Sequence, residues 1–307
     1  MLIAGVPTLN VPGVAILTGY APDIASPVRT ATPATGMRTH ESEDVARMRS
    51  TRHPSPLGEE QVRAFYEQGF TLVPDVFDDD ELARMRAAFD RLRRMACALR
   101  ESGMHRGSQF VIERNGGDPA VRIHRIVWCG AAEPVLSRYG MDQRLLAMAA
   151  QLLGSRDMNQ LINQAHFKHP GDGVEFPWHQ DSTHRRFGQD VWRDVNGRGS
   201  YVQTVTAIDD ADENNGPLHL IPGSCRLGHV RDVGEGALPE GLDECCAVTA
   251  CMRAGSVLLF GPYTFHSSPP NRSNRARRIF INGFACPGAN TRVYPGDGAG
   301  RLVHAPR

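Results

Sequence analysis

The chain has 307 residues, of which 41% are hydrophobic and 22% charged, with 34 Lys and Arg balanced by 34 Asp and Glu. That composition belongs to a globular, enzyme-sized protein, and the zero net charge gives no footprint for nucleic acid or an anionic membrane. Seven cysteines, an odd number without a CxxC pair, fit reduced thiols in a cytoplasmic setting and not a disulfide framework.

The first twenty residues are apolar but broken by Pro7 and Pro12 and lack a basic start, so neither a secretion signal nor a membrane span is expected. From Ala21 to Pro56 the chain is rich in Pro, Thr, Ser and Arg with no apolar period. A disordered extension is therefore expected over 1–56, with Met37 and Met48 as alternative starts. An ordered domain is expected over 57–290, followed by a tail over 291–307.

Within that domain, GEEQVRAFYEQGF predicts a short helix with Val62, Phe65 and Tyr66 on one side and Gly69 at its stop. TLVPDVF reads as a short strand. In DDDELARMRAAFDRLRRMACALR, the residues Leu82, Met85, Phe89, Leu92, Ala96 and Leu99 recur every three or four positions. The spacing predicts an amphipathic helix with Asp78–Asp80 at its positive end. Another helix is predicted over Gln143–Leu153, closed by Gly154.

Beyond Gly154 the texture changes to short segments, QLINQAHFKH, YVQTVTAIDDA, GPLHLIP, GSVLLFG and RRIFINGFA, separated by Gly, Pro, Asn and Asp. Such spacing predicts an antiparallel barrel or sandwich, and helices followed by strands make an α+β arrangement. No GxGxxG or GxxxxGK[ST] pattern opens a helix, which argues against a nucleotide site.

The chemistry concentrates in FPWHQDSTHRR. His179 and Asp181 are two apart, and on an extended strand such residues project from one face. His266, at the end of the apolar run LLFGPYTFH, is the best third ligand. Two imidazoles and a carboxylate on one side of an ion leave positions open, an arrangement that suits non-haem Fe(II). The same residues admit two other readings. One is a zinc hydrolase using His179, Asp181 and His184; the other is a non-catalytic module that binds a ligand without turnover. Cys245, Cys246 and Cys251 are close enough in sequence to be weighed as a soft-metal cluster.

Three motifs in order, WHQD at 178–181, NGPLHLIPGS at 215–224 and HSSPPNRSNRAR at 266–277, carry a resemblance. From about Leu57 to Ala285 the chain resembles the phytanoyl-CoA dioxygenase (PhyH) family of Fe(II)/2-oxoglutarate-dependent oxygenases, with the bacterial ectoine hydroxylases as recognisable relatives. The resemblance implies a double-stranded β-helix, a jelly-roll or cupin-like core, with supporting N-terminal helices. It implies iron held by His179, Asp181 and His266, with Arg277 gripping the far carboxylate of 2-oxoglutarate and the Ser268 hydroxyl against the same group. A planar guanidinium suits that role. Arg278 would point to the opposite face.

Where relatives carry an asparagine near the co-substrate this chain offers His166, and Gln164, His166 and Lys168 share one strand face. The family's PGSH reads PGSC here, with Cys225 last, and a local packing change is expected. The implied reaction is hydroxylation by O₂ with release of succinate and CO₂, and ascorbate as the reductant in vitro. Halogenating relatives have a small residue at the position of Asp181, so oxygenation is expected.

The connection over 182–201 is long for a simple link and reads as a lid. It places His184, Arg185, Arg186 and Arg193 beside Phe187 and Trp192, with Trp178 next to the pocket. The implied partner is a small-molecule substrate: a polar metabolite bearing a carboxylate or phosphate, such as an amino acid or secondary metabolite.

Overall fold

The computed structural model describes residues 57–114, 120–184, 191–231, 233–234, 236–290 and 301–306. The extension expected over 1–56, with its alternative starts, lies outside the described residues.

The first helix, α1 (Glu59–Gln68), ends where the sequence places a stop. Gly69 has φ of 92°, and a side chain there would run into Thr264 Oγ1 at 2.5 Å and Cys225 Cβ at 3.0 Å. Strand β1 (Phe70–Val73) follows and is shorter than TLVPDVF, because the backbone turns at Asp75, which has φ of 52°. Helix α2 (Asp79–Ala98) opens on a reciprocal cap. Asp78 Oδ1 accepts from the Glu81 amide at 2.9 Å and Glu81 Oε2 accepts from the Asp78 amide at 3.0 Å. Its apolar stripe, including Leu82, Met85, Phe89, Leu92 and Ala96, is buried.

The next stretch holds elements the sequence reading passed over: β2 (Gly103–His105), β3 (Ser108–Arg114), β4 (Val121–Val127), α3 (Cys129–Ala132) and α4 (Pro134–Tyr139). VRIH at the start of β4 alternates apolar and polar side chains, the period-2 signal of a half-buried strand, before Ile126 and Val127 are both buried. Helix α5 (Gln143–Leu153) stands where it is expected and stops at left-handed Gly154. It is tied to α2 by Arg144, which reaches Glu81 Oε1 at 2.6 Å, Asp142 Oδ1 at 2.8 Å and the Val76 carbonyl at 2.6 Å.

The remaining elements are β5 (Asp157–Lys168), β6 (Phe176–His179), α6 (Asp181–His184), β7 (Tyr201–Ala207), β8 (Leu218–Leu220), β9 (Val248–Ala250), β10 (Val257–Phe260), β11 (His266–Ser268), β12 (Arg277–Ala285) and β13 (Arg301–His304). They complete two antiparallel sheets, in keeping with the α+β expectation. The nine-stranded sheet runs β1-β10-β7-β12-β5-β4-β3-β2, with β13 also on β5; the four-stranded sheet runs β6-β11-β8-β9. Strand β13 pairs with Asp157–Gln160, and Val303 is buried. Residues 301–304, assigned to a tail, therefore supply a strand of the larger sheet.

Register decides which side chains of β5 and β12 face the site. Phe167 and Phe280 lie against Phe89 of α2, with ring centroids 5.2 and 6.5 Å away, so that face is covered by the helix. The opposite face presents Gln164, His166 and Lys168, paired in register with Ile281, Ile279 and Arg277.

No helix among the described residues is long and apolar enough to cross a membrane. The seven cysteines are free, and Cys245, Cys246 and Cys251 are exposed. Among the described residues these three form no ligating cluster, so the soft-metal grouping is not assembled.

Candidate active site

Strand β11 lies between β6 and β8 and sets His266 opposite His179, with ring centroids 4.2 Å apart. Asp181 reaches them by a different route from the one expected. Strand β6 ends at His179, and Asp181 is the first residue of the single turn α6, so a bend and not the strand pleat brings its carboxylate alongside. One ligand atom from each of His179, Asp181 and His266 lies within 4.8 Å of the others. Asp181 and His266 are buried, 5% and 3% exposed, and His179 is half-buried.

Each imidazole is oriented from behind. His179 Nδ1 donates to the Pro177 carbonyl at 2.6 Å and His266 Nδ1 donates to the Thr264 carbonyl at 2.9 Å, which turns both Nε2 lone pairs toward the shared point. Burial, then the His179 charge, push His266 down to about 3, so it is a neutral ligand at physiological pH. Two imidazoles and a carboxylate meeting on one side fit a divalent iron with open positions.

Two residues beyond His266 on β11, Ser268 is the centre of a second cluster. Its Oγ accepts from Lys168 Nζ at 2.6 Å and from Arg277 Nη2 at 2.9 Å, and donates to the Gly216 carbonyl at 3.1 Å. Lys168 Nζ also donates to the Ser268 carbonyl at 2.9 Å and to the Pro269 carbonyl, and Arg277 Nη2 donates to the Gly216 carbonyl. Lys168 is 1% and Arg277 2% exposed, and neither pairs with a carboxylate among the described residues. Burial, then the Arg277 charge, push Lys168 down to about 6, and burial pushes Arg277 down to about 10. Arg277 Nε is buried without a partner among the described residues. Two buried basic groups without a paired carboxylate among the described residues form a site that an anion completes.

The middle motif now has a physical role. Gly216 has φ of 78°, and a side chain there would meet the Pro269 carbonyl at 2.6 Å and Lys168 Cδ at 2.8 Å. Ser224 accepts from the Phe265 amide at 2.9 Å, and the Ile221 amide donates to the Phe265 carbonyl at 3.0 Å. NGPL therefore makes room for the cations, and IPGS fastens the segment entering His266. Cys225, standing for the family's histidine, packs beside Gly69.

Of the other expected residues, His166 and Gln164 lie on the inward face and contact each other, with His166 Nε2 donating to Gln164 Oε1 at 3.0 Å. The His166 ring stacks on Phe176 at 5.1 Å. Burial, then the charges of Arg125 and Arg277, hold His166 well below the usual histidine range. Arg278 points to the other face and pairs with Asp209 at 2.7 Å and Asp90 at 2.8 Å. Strand alternation turns Trp178 to the face opposite His179.

His184 is exposed, its ring 4.8 Å from His179, and it is not in the ligand group; the grouping of His179, Asp181 and His184 required by a zinc hydrolase is therefore not formed. Arg185, Arg186 and Phe187 lie outside the described residues. Trp192 is buried against Tyr201 at 5.6 Å, and Arg193 Nε donates to the Gly288 carbonyl at 3.3 Å. Lys168 was singled out only as one of three residues on a strand face, and nothing local marks its convergence with Arg277. Gln180, buried between two ligands, was not singled out at all.

The phytanoyl-CoA dioxygenase (PhyH) family profile matches residues 65–279. The chain is 31% identical over 181 residues to an ectoine dioxygenase of Bordetella bronchiseptica, covering 58% of this chain and 53% of that protein. It therefore spans about half the length of that relative. It is 25% identical over 256 residues to an L-proline trans-4-hydroxylase of Streptomyces griseoviridis, covering 74% of this chain and 85% of that one.

Among solved structures, EctD from S. alaskensis with 2-oxoglutarate and 5-hydroxyectoine superposes with a TM-score of 0.59 at 23% identity, over 78% of this chain and 79% of the other. EvdO2 from Micromonospora carbonacea var. aurantiaca, complexed with 2-oxoglutarate, gives a TM-score of 0.58 at 21% identity, over 80% and 97%. The two antiparallel sheets are those of the double-stranded β-helix.

Proposed function

The chain belongs to the phytanoyl-CoA dioxygenase (PhyH) family, and on that premise we propose that it is an Fe(II)- and 2-oxoglutarate-dependent oxygenase. Its reaction is hydroxylation of an unactivated C–H bond in a small polar metabolite, consuming O₂ and releasing succinate and CO₂. One observation carries this reading. The buried basic residues Lys168 and Arg277 converge on Ser268, two residues along β11 from His266. Two residues of strand span roughly 6–7 Å, a gap that a five-carbon dicarboxylate bridges with its 2-oxo acid end at the ligand group and its far carboxylate on the cations.

His179 and His266 would hold Fe(II) through Nε2 and Asp181 would do so through a carboxylate oxygen. The chemistry supplied when Fe(II) is bound is O₂ activation coupled to oxidative decarboxylation of 2-oxoglutarate, which no side chain can perform alone. The protein contributes placement. Arg277, Lys168 and Ser268 grip the far carboxylate, and His166 and Gln164 line the co-substrate side as neutral hydrogen-bonding groups. The backbone carbonyls behind His179 and His266 keep both imidazoles aimed. Asp181 would fill a coordination position with an oxygen of its own, which favours oxygenation over transfer of an external anion.

A substrate of amino-acid size is supported by the two relatives whose names carry ectoine and L-proline. His184 stands at the rim beside His179, and Arg185 and Arg186 follow it in sequence; these three are proposed to meet an anionic group of the substrate. Replacing both arginines by Ala then raises the substrate KM and leaves the KM for 2-oxoglutarate unchanged.

The test is anaerobic addition of Fe(II) and 2-oxoglutarate, which is expected to give a visible charge-transfer band. Admission of O₂ with ascorbate should then release succinate slowly without substrate and rapidly in the presence of the right metabolite, which gains one oxygen by mass. Absence of both the band and succinate would overturn the assignment.

A further inference from the structure

The two halves of the ligand group reach the site on separate pieces of chain, and one buried side chain joins them. Gln180, between His179 and Asp181, is 1% exposed, and both donors and the acceptor oxygen of its amide are engaged. Its Nε2 donates to the Tyr263 carbonyl at 2.6 Å and to the Gly228 carbonyl at 2.8 Å, and its Oε1 accepts from the Val230 amide at 2.9 Å. Two carbonyls and one N–H leave a single way for the amide to point.

The Tyr263 carbonyl belongs to the turn that delivers His266, and the neighbouring Pro262 carbonyl accepts from the Ser182 amide at 3.0 Å. The other partners lie on a segment stitched to alternate residues of the same motif. Trp178 bridges to Gly236, Gln180 binds Gly228 and Val230, and Ser182 Oγ meets His229 Nδ1 at 2.9 Å. Residues 178, 180 and 182 thus face the backing segment while 179 and 181 carry the ligand atoms.

We propose that Gln180 is a positioning residue for the metal site, setting the separation between the His179–Asp181 pair and His266 by fastening their connectors to each other and to the 228–230 backing segment. Besides Gln180, the two halves are linked directly by the Ser182–Pro262 backbone bond and by the short β6–β11 pairing, whose register shifts between His266 and Ser268. A ligand atom displaced by a few tenths of an ångström weakens coordination, and groups that orient ligands from behind typically change metal affinity 10- to 100-fold. The inference rests on the iron-site reading above.

The test compares Gln180→Met with Gln160→Met in the full chain. Gln160 is an equally buried glutamine toward the other end of β5, bonded to Gly140 and Asn282. Both changes should lower the melting temperature of the metal-free protein. Only Gln180→Met should weaken anaerobic Fe(II) binding, by about 10- to 100-fold, and shift the charge-transfer band of the 2-oxoglutarate complex.

Gln180→Glu keeps the acceptor for Val230 and the side-chain volume but removes both donors; it makes the same comparison if the Met variant does not fold. Native Fe(II) affinity and an unshifted band in a folded Gln180 variant, or equal weakening in the Gln160 variant, overturns the proposal. Failure of the unaltered protein to bind Fe(II) sinks the iron-site reading instead, so the two failures are distinct.

Discussion

Lys168 and Arg277 stand opposite each other in register on β5 and β12 and converge on one oxygen, the Ser268 hydroxyl, at 2.6 and 2.9 Å. A second charge beside Arg277 in this buried setting meets both a desolvation cost and repulsion, and these push Lys168 down to about 6. An incoming carboxylate relieves both, so this pairing favours a dianionic co-substrate over a neutral one.

Arg277→Met should raise the KM for 2-oxoglutarate by roughly 10- to 100-fold, since a hydrogen bond to a charged group contributes about 1.5–3 kcal/mol. Arg278→Met removes the Asp209 and Asp90 pairs on the outer face and should lower stability without that change in KM. Steady-state kinetics with 2-oxoglutarate as the varied substrate separates them, and a native KM in the Arg277 variant would contradict the assignment.

Lys168 makes co-substrate binding depend on pH. Its folded value, about 6, lies below the ordinary 10.5, so the unfolded chain binds the extra proton between those values. Stability from this group therefore rises with pH across that window and is lowest below it. A carboxylate bound at Ser268 raises the lysine again, so binding near neutral pH takes up about one proton and affinity falls as pH rises. Calorimetric titration in buffers of different ionisation enthalpy reads this uptake, and Lys168→Met should abolish it.

Metal removal should leave the fold in place. The ligand group sits on β6, β11 and α6 within a formed sheet and helix turn, so its side chains do not create these elements. Chelation should abolish succinate release while the far-UV circular dichroism stays native. The melting temperature should fall only by the binding linkage, about 2.7 kcal/mol when free metal is ~100 times its Kd. His266→Ala should show the same folded, metal-free behaviour, and loss of secondary structure on chelation would argue against it.

The Arg144 network concerns stability alone. Arg144→Met leaves Glu81 buried beneath α5 without its cation and should cost about 3–5 kcal/mol. Urea melts of the native and variant proteins measure it, with Fe(II) and 2-oxoglutarate affinity expected to be native.

Local chemistry made much of the scaffold readable from the chain. Asp78 with Glu81 announces a helix start, Gly69 and Gly154 announce stops, and the spacing of Leu82, Met85, Phe89 and Leu92 describes a buried stripe, because each depends on neighbours within a few residues. The β2–β4 meander was harder to see. Its alternation is short, and whether such a segment is a strand depends on a partner elsewhere in the chain.

What the sequence determined by itself is the set of candidate site residues and their order: His179, Asp181, His266 and Arg277, carried by two of the three motifs. Tertiary structure alone decided how they meet: Asp181 by a helical turn and not a strand pleat, Lys168 brought to Arg277 by the β5–β12 register, Gln180 placed between two connectors, and Trp192 turned into the core. The physical reason is that a period of two or 3.6 specifies the faces of an element but not which distant element it pairs with; that is settled by burial and hydrogen-bond satisfaction over the whole fold.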